Sequence, residues 1–401
     1  MRPLLILLFS FLFCSGFGQV TVSGKVIDKR TGKSIDGASV YISNTSIGTI
    51  SNASGDFIIR NIVLQKFDLI ASSIGYETFN LTITADKSHE LTIELNPRPK
   101  ELDAIIIRNY EKDGWDRWGK LFTDYFIGTS AIAKDCDIKN TKVLKFSMDK
   151  KENTLYVDAT EPLQIKNDGL GYSLTYDLQT FSYNFTTHML YYAGYPFFTE
   201  MTGSDKKIKR WNKNRREAYS GSMMHFMRSI YRNKLQQEGF TIYRLKRVVN
   251  KEKQRVKQKY NALIRLMGSE QIDSIDYFNS VLRKPDFVDY VEKDPIVSDS
   301  IAYALDSTTA ALEFENYIQV VYANKSEPEE YAAYQGRHFT AANISALITL
   351  LYHKDVAVYQ NGMYYDSKDL LFEGYWSWSE KIGEMLPFDY KYNFNKATPD
   401  P

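Results

Sequence analysis

Residues 24–95 read GKVIDKRTGKSIDGASVYISNTSIGTISNASGDFIIRNIVLQKFDLIASSIGYETFNLTITADKSHELTIEL. Apolar residues alternate with polar ones from just ahead of this stretch to its end. They do so at Val20, Val22 and Val26, at Ala38, Val40 and Ile42, and at Phe57 and Ile59. The pattern returns at Phe67, Leu69 and Ala71, at Phe79, Leu81 and Ile83, and at Leu91, Ile93 and Leu95. A period of two puts one set of side chains on one sheet face, as a half-buried strand requires. Turn residues separate the runs at Arg30-Thr31-Gly32, Asp36-Gly37, Ser54-Gly55-Asp56 and Ile74-Gly75. Glycine supplies the positive φ of such corners. About seven short strands without a helical period predict an all-β sandwich of two sheets.

Several short motifs follow one another in order: Gly24-Lys25-Val26-Ile27-Asp28, Thr31-Gly32, Gly37-Ala38-Ser39-Val40, Gly48-Thr49, Gly55-Asp56-Phe57 and Ser73-Ile74-Gly75-Tyr76. As an ordered set they resemble the carboxypeptidase-regulatory-like domain. That family is a seven-stranded transthyretin-like (prealbumin-like) β-sandwich, frequent in envelope proteins of Bacteroidetes-type bacteria. The resemblance covers residues 20–96 and places the domain at 19–96. It implies a fold that accompanies carboxypeptidase catalytic domains, and it implies no peptidase activity.

Upstream, residues 1–18 have the form of a signal peptide: Arg2, an apolar core over 4–13, and small Gly16 and Gly18 before Gln19. The apolar core is shorter than the roughly 20 residues of a spanning helix. Phe13 is too bulky for the position before a lipidated cysteine, so plain cleavage is expected rather than lipidation of Cys14. The expected location is therefore beyond the inner membrane, as a periplasmic, outer-membrane-associated or cell-surface protein, with no transmembrane helix after signal removal. Cleavage would leave Cys136 as the only cysteine, unable to form an internal disulfide and expected to be a small buried residue.

Downstream, Pro97 and Pro99 resist both helix and ladder. Residues 97–109 read as a Pro-rich linker with a possible extra strand at 101–107. That strand, Glu101-Leu102-Asp103-Ala104-Ile105-Ile106-Ile107, is similar to the segment that follows this domain in TonB-dependent outer-membrane transporters, with Ala104 where an acidic residue is usual. The charged helical blocks beyond it do not suit a large barrel of alternating strands.

Residues 110–401 predict an α+β domain with an antiparallel sheet and charged helices. Trp115, Trp118, Leu121, Phe122, Tyr125 and Phe126 recur at helical spacing. Strands are expected at 143–148, 155–159, 163–165, 173–185 and 189–193, with Gly194-Tyr195-Pro196 breaking the run. A helix is expected at 210–237, interrupted near Gly221 and stopped by Gly239. A strand at 241–248 and helices at 250–267 and 272–282 follow. Next come one alternating strand over 311–322, a hairpin at Asn361-Gly362 and a last helical turn at 380–386. The phrases Arg210-Trp211-Asn212-Lys213-Asn214-Arg215, Ala218-Tyr219-Ser220-Gly221-Ser222 with His225-Phe226, and Glu238-Gly239-Phe240 are similar to the uncharacterised region that accompanies this sandwich elsewhere. That similarity implies an architecture and no activity.

No catalytic signature appears. The five histidines lie in no zinc-ligand spacing, His353 with Asp355 being the nearest to one. Neither a G-x-S-x-G elbow nor a phosphate-binding glycine loop is present. The chain is therefore expected to be no enzyme and to need no cofactor or metal. Its unusual feature is charge segregation. Residues 205–260 hold 18 Lys and Arg against 4 Asp and Glu, and residues 268–334 hold 14 Asp and Glu against 4 Lys and Arg, although the whole chain carries only +1. The basic block offers Arg210, Trp211, Lys213, Arg215 and Arg216 as contacts for an anionic partner. Export argues against nucleic acid, leaving an envelope protein, a polysaccharide or a lipid surface. Alternatively, the basic and acidic segments neutralise each other within one domain. The leading expectation is a non-enzymatic envelope binding or scaffold protein. The alternatives are a peptidase-associated or hydrolytic envelope protein whose site assembles only in the fold, and a TonB-linked outer-membrane component.

Overall fold

The N-terminal alternation folds as its period requires. A computed structural model describes residues 20–98, 108–267, 275–352, 354–365 and 367–392. The expected leader, the strand at 101–107 and His353 lie outside the described residues. The chain divides into two compact units, Met1–Ile107 and Arg108–Pro401.

In the first unit, seven strands form two sheets: β1 (Val20–Asp28), β2 (Ser39–Ile42), β3 (Gly48–Ile50), β4 (Asp56–Ile62), β5 (Lys66–Ser72), β6 (Phe79–Thr84) and β7 (His89–Leu95). One sheet runs β4-β1-β7, with β1 and β7 parallel, and the other β3-β2-β5-β6. Val22, Val26, Val40, Phe57, Phe67 and Ile93 from both sheets meet in one core. The corner glycines Gly32, Gly37, Gly55 and Gly75 have φ of 68°, 72°, 79° and 86°. Only β3 lacked an apolar run, because its three residues are exposed or half-buried. After β7, Pro97 bridges to Tyr76 and the Arg98 N–H donates to the Gly75 carbonyl at 2.8 Å.

The second unit opens with α1 (Gly114–Phe126), followed by β8 (Cys136–Ile138), β9 (Leu144–Asp149), β10 (Thr154–Ala159), β11 (Leu163–Asn167), β12 (Tyr172–Asn184) and β13 (Leu190–Glu200). These strands form one antiparallel sheet, ordered β8-β11-β12-β10-β9 with β13 along β12. Next come α2 (Asp205–Tyr219), α3 (Met223–Tyr231), β14 (Phe240–Val249), α4 (Lys251–Met267), α5 (Ile275–Leu282) and β15 (Phe287–Val291). Then follow β16 (Ala302–Ala304), β17 (Thr309–Leu312), β18 (Tyr317–Ser326), α6 (Glu329–Tyr334) and β19 (Asn343–Leu350). The last elements are β20 (Val356–Tyr359), β21 (Tyr364–Tyr365), β22 (Leu370–Gly374) and α7 (Tyr375–Ser379). They build two more antiparallel sheets, β15-β14-β18-β19-β22 and β16-β17-β20-β21. Phe122, Phe126, Phe146 and Phe181 centre one core, and Phe226, Phe240, Ile348 and Trp376 centre another.

Several boundaries differ from expectation. β13 runs through Gly194-Tyr195-Pro196 because Pro196, on a strand that pairs only with β12, needs no outward N–H. The expected 210–237 helix breaks at Gly221, but its second half stops at Tyr231, where Asn233 adopts φ 51°. The expected 311–322 strand is two strands in two sheets, turned by Asn316 at φ 60°. The Asn361-Gly362 hairpin has a three-residue loop: the Gly362 N–H donates to the Tyr359 carbonyl, and the Tyr359 N–H to that of Met363. The last helix, α7, precedes residues 380–386, which form turns.

Candidate functional site

The helix α2 reads DKKIKRWNKNRREAY, and its buried residues are Trp211, Arg215, Ala218 and Tyr219, the spacing of one helical face. That face lies on the loop between β11 and β12 and takes hold of four consecutive carbonyls. Trp211 Nε1 donates to the Asp168 carbonyl at 2.7 Å, and Asn214 Nδ2 to that of Gly169 at 2.8 Å. Arg215 Nε donates to the Leu170 carbonyl at 2.8 Å and its Nη2 to that of Gly171 at 3.2 Å. Arg215 Nη1 reaches Glu200 Oε1 at 2.9 Å. Gly171 sits at φ +73°, and a Cβ there would come within 2.3 Å of the Trp211 ring, so a larger residue would lift the helix.

The structure places the expected contact residues in different settings. Trp211 is 2% exposed and Arg215 8%, so both are internal fasteners unavailable to a partner. Their burial is decided by the loop carbonyls they satisfy, since a buried polar group needs such partners. Arg216 is half-buried. Arg210 is exposed but holds Asp135 at 3.3 Å and the Asp168 carbonyl at 2.9 Å. Lys213 remains outward, and Lys206 and Lys209 join it at spacings of seven and four residues. Among the described residues, none of these three lysines forms an ion pair within 4.0 Å.

The two charge blocks meet only in part. Arg247 pairs with Asp289 at 2.8 Å across β14 and β15, and Lys253 with Asp286 at 3.1 Å. Among the described residues, the outward lysines of α2 take no share in this neutralisation.

Among the described residues, no group of three His, Cys, Asp or Glu side chains could hold a metal ion. His225 is buried between aromatic rings, stacked on Tyr219 at 4.7 Å. Its Nδ1 accepts from the Gly221 N–H at 3.2 Å, which leaves the ring proton on Nε2 to be donated to Glu238 at 3.1 Å. Ser229 donates to the same carboxylate oxygen at 2.6 Å, and Arg232 reaches it at 2.8 Å. Burial holds the His225 pKa below the ordinary value, so the imidazole is neutral. Burial pushes Glu238 up, but the hydrogen bonds from His225 and Ser229 and the Arg232 charge carry it below its usual range. Serine, histidine and glutamate are thus neighbours joined through the Glu238 carboxylate. Cys136 is buried, and burial pushes its thiol up to about 12, the state of an inert cysteine.

A different pair was not visible in the sequence. Trp378 belongs to one core and Ile382 to the other, so Glu380 and Lys381 lie where the chain crosses between them. Both are half-buried. Glu380 Oε1 accepts from the Met223 N–H at 2.8 Å, and the Tyr192 hydroxyl donates to the Glu380 carbonyl at 3.3 Å. Lys381 Nζ lies 5.9 Å from the centre of the Tyr192 ring. Burial raises Glu380 to about 7 and lowers Lys381 to about 8. Adjacent groups that titrate near neutrality can exchange protons with a ligand. An adjacent Glu-Lys pair in sequence carries no such signal, because the shift comes from tertiary burial.

Among the described residues, no helix is long and apolar enough to cross a membrane, a statement that does not concern strands. Residues 22–107 match the CarboxypepD_reg-like domain. No curated protein matches the chain. A type II cohesin–X-dockerin complex from Acetivibrio cellulolyticus is 19% identical over 19% of this chain, with a TM-score of 0.17. The match spans 56% of that structure's length. A candidate carbohydrate-binding protein from Bacteroides uniformis is 8% identical over 45% of this chain and 79% of its own, with a TM-score of 0.17. A candidate membrane-associated protein of unknown function from Bacteroides fragilis is 9% identical over 88% of this chain and 96% of its own, again at 0.17. These structural likenesses are distant. Over residues 22–107 the chain carries a CarboxypepD_reg-like domain, and the region after it has no family assignment.

Proposed function

We propose that the protein is a non-enzymatic binding or scaffold protein of the cell envelope. In this reading it is exported, its transthyretin-like sandwich is one module and its second unit is the recognition part. The observation that supports it is the build of α2. Trp211 and Arg215 fasten the helix, while Lys206, Lys209 and Lys213 stay outward and, among the described residues, form no ion pair. Charges held at fixed spacing on a rigid helix suit an anionic envelope component. Such contacts weaken with salt, since exposed charges are screened beyond about 8 Å at physiological ionic strength. The test is retention on isolated envelopes with Lys206→Glu, Lys209→Glu and Lys213→Glu combined. Retention should fall steeply with salt and be lost in the variant, whose melting temperature stays unchanged. Retention indifferent to both salt and substitution overturns the reading.

A hydrolytic second reading is favoured by Glu380 and Lys381, whose pKa values of about 7 and about 8 suit proton transfer. It requires turnover of an envelope substrate that Glu380→Gln abolishes in a protein that remains folded. Turnover unaffected by that change removes it.

A further inference from the structure

β14 and β15 are neighbours in one sheet, yet α4 and α5 lie between them in the chain. β14 pairs with β18 from Phe240 as far as Leu245 and continues to Val249 with β15 as its partner. The end of β14 and β15 thus form a two-stranded ribbon that carries the helical pair. The helices pack on each other around Val256, Phe278 and Val281, a small core separate from the others.

This arm has an unusual surface. Val249 is 41% exposed, Phe287 50%, Tyr290 59% and Val291 45%. The register sets Val249 opposite Phe287, Arg247 opposite Asp289 and Leu245 opposite Val291, so the exposed Val249, Phe287 and Val291 share one ribbon face. Arg247 in the middle of that face is already held by Asp289 and by Glu373, at 2.6 Å. Lys251, Lys257 and Lys259 of α4 are exposed, and among the described residues none forms an ion pair.

A soluble polyanion, or the acidic face of another protein, would satisfy the lysines and leave the apolar face in water. The boundary of an anionic bilayer takes both, apolar side chains at the acyl edge and amines at the phosphates. We infer that the ribbon and its helical pair are a membrane-docking arm, seating Val249, Phe287 and Val291 in an anionic lipid surface with Lys251, Lys257 and Lys259 serving its headgroups. The arm is distinct from the lysine row of α2 and does not depend on it.

The test is sedimentation of the full chain with vesicles of phosphatidylcholine alone or of phosphatidylcholine with phosphatidylglycerol. Binding should require phosphatidylglycerol and fall about tenfold in Phe287→Asp/Val291→Asp and in Lys257→Glu/Lys259→Glu. The combined α2 variant Lys206→Glu/Lys209→Glu/Lys213→Glu should bind as wild type does. Should the double aspartate variant melt early, Phe287→Ser alone replaces it. Phe287→Cys carrying an environment-sensitive dye should report an apolar setting on the anionic vesicles only. Equal binding to both vesicle types overturns the arm. So does loss only in the α2 variant, or lipid binding that ignores the apolar substitutions while inorganic polyphosphate competes it away.

Discussion

The Arg215 guanidinium lies 3.9 Å from the centre of the Tyr172 ring. It also donates to the Leu170 and Gly171 carbonyls and to Glu200. One side chain therefore joins α2 to β12, to β13 and to the loop before β12. Arg215→Ala would strand two buried carbonyls and is expected to destabilise the second unit by about 2–4 kcal/mol. Lysine cannot reproduce the planar fork, so Arg215→Lys should rescue only part of the loss. Lys213→Ala, two residues away but outward, should stay within about 0.5 kcal/mol. Urea denaturation compares the three.

Gly75 carries φ +86°, and a Cβ there would meet nothing within 4 Å. Any penalty of substitution therefore comes from the backbone alone. Gly75→Val puts a β-branched side chain at positive φ and should cost about 1–3 kcal/mol. Ile74→Ser, at a position 94% exposed, should cost nothing measurable. Amide exchange in β5, β6 and β7 is the readout: faster with Gly75→Val, unchanged with Ile74→Ser.

Glu380 and Lys381 make neutral pH unfavourable for the second unit. The folded Glu380 keeps its proton up to about 7, against 4.5 ordinarily. Between those values the unfolded chain binds fewer protons, so this contribution is present below 4.5 and lost as pH rises to 7. The folded Lys381 gives up its proton near 8, against 10.5 ordinarily. Between those values the unfolded chain binds more protons, so stability rises with pH from 8 to 10.5. Their joint contribution is lowest between pH 7 and 8. Relative to wild type, Glu380→Gln should remove the acid-side slope and Lys381→Met the alkaline-side slope, read from denaturation midpoints across pH.

Arg228 is buried, yet its three donors meet three backbone carbonyls: Asn361 at 2.8 Å, Tyr390 at 3.0 Å and Phe388 at 3.0 Å. It ties α3 to the β20–β21 hairpin and to the segment that closes the first core of this unit. Arg228→Met keeps the aliphatic bulk and removes every donor. The expected loss is about 3 kcal/mol, because the carbonyls lose partners that water cannot fully replace. Amides near Phe388 and Tyr390 should exchange faster, while those of β1 to β7 do not change.

The strands of the first unit were legible because alternation is a local property. Val22, Val26, Phe57 and Ile93 point inward as their spacing dictates, whatever the rest of the chain does. The same holds for α1 and for the corner at Gly221, where one glycine serves a turn. The 311–322 segment misled because its alternation is real on both sides of Asn316, while the turn that sends the halves to different sheets is set by their partners, β20 for one and β14 and β19 for the other.

The candidate contact residues show the limit most clearly. In sequence, Arg210, Trp211, Lys213, Arg215 and Arg216 form one basic block around an aromatic residue. Only the fold separates them, because the Asp168, Gly169, Leu170 and Gly171 carbonyls draw Trp211, Asn214 and Arg215 inward and leave Lys213 in water. Likewise, Glu380 and Lys381 acquire pKa values near neutrality only where two cores meet. Sequence alone determined the local periods, the turn residues and the segregation of charge, all of which need only near neighbours along the chain. The tertiary structure decided which charges are buried, which stay free and which titrate, because desolvation and hydrogen-bond satisfaction depend on groups distant in sequence.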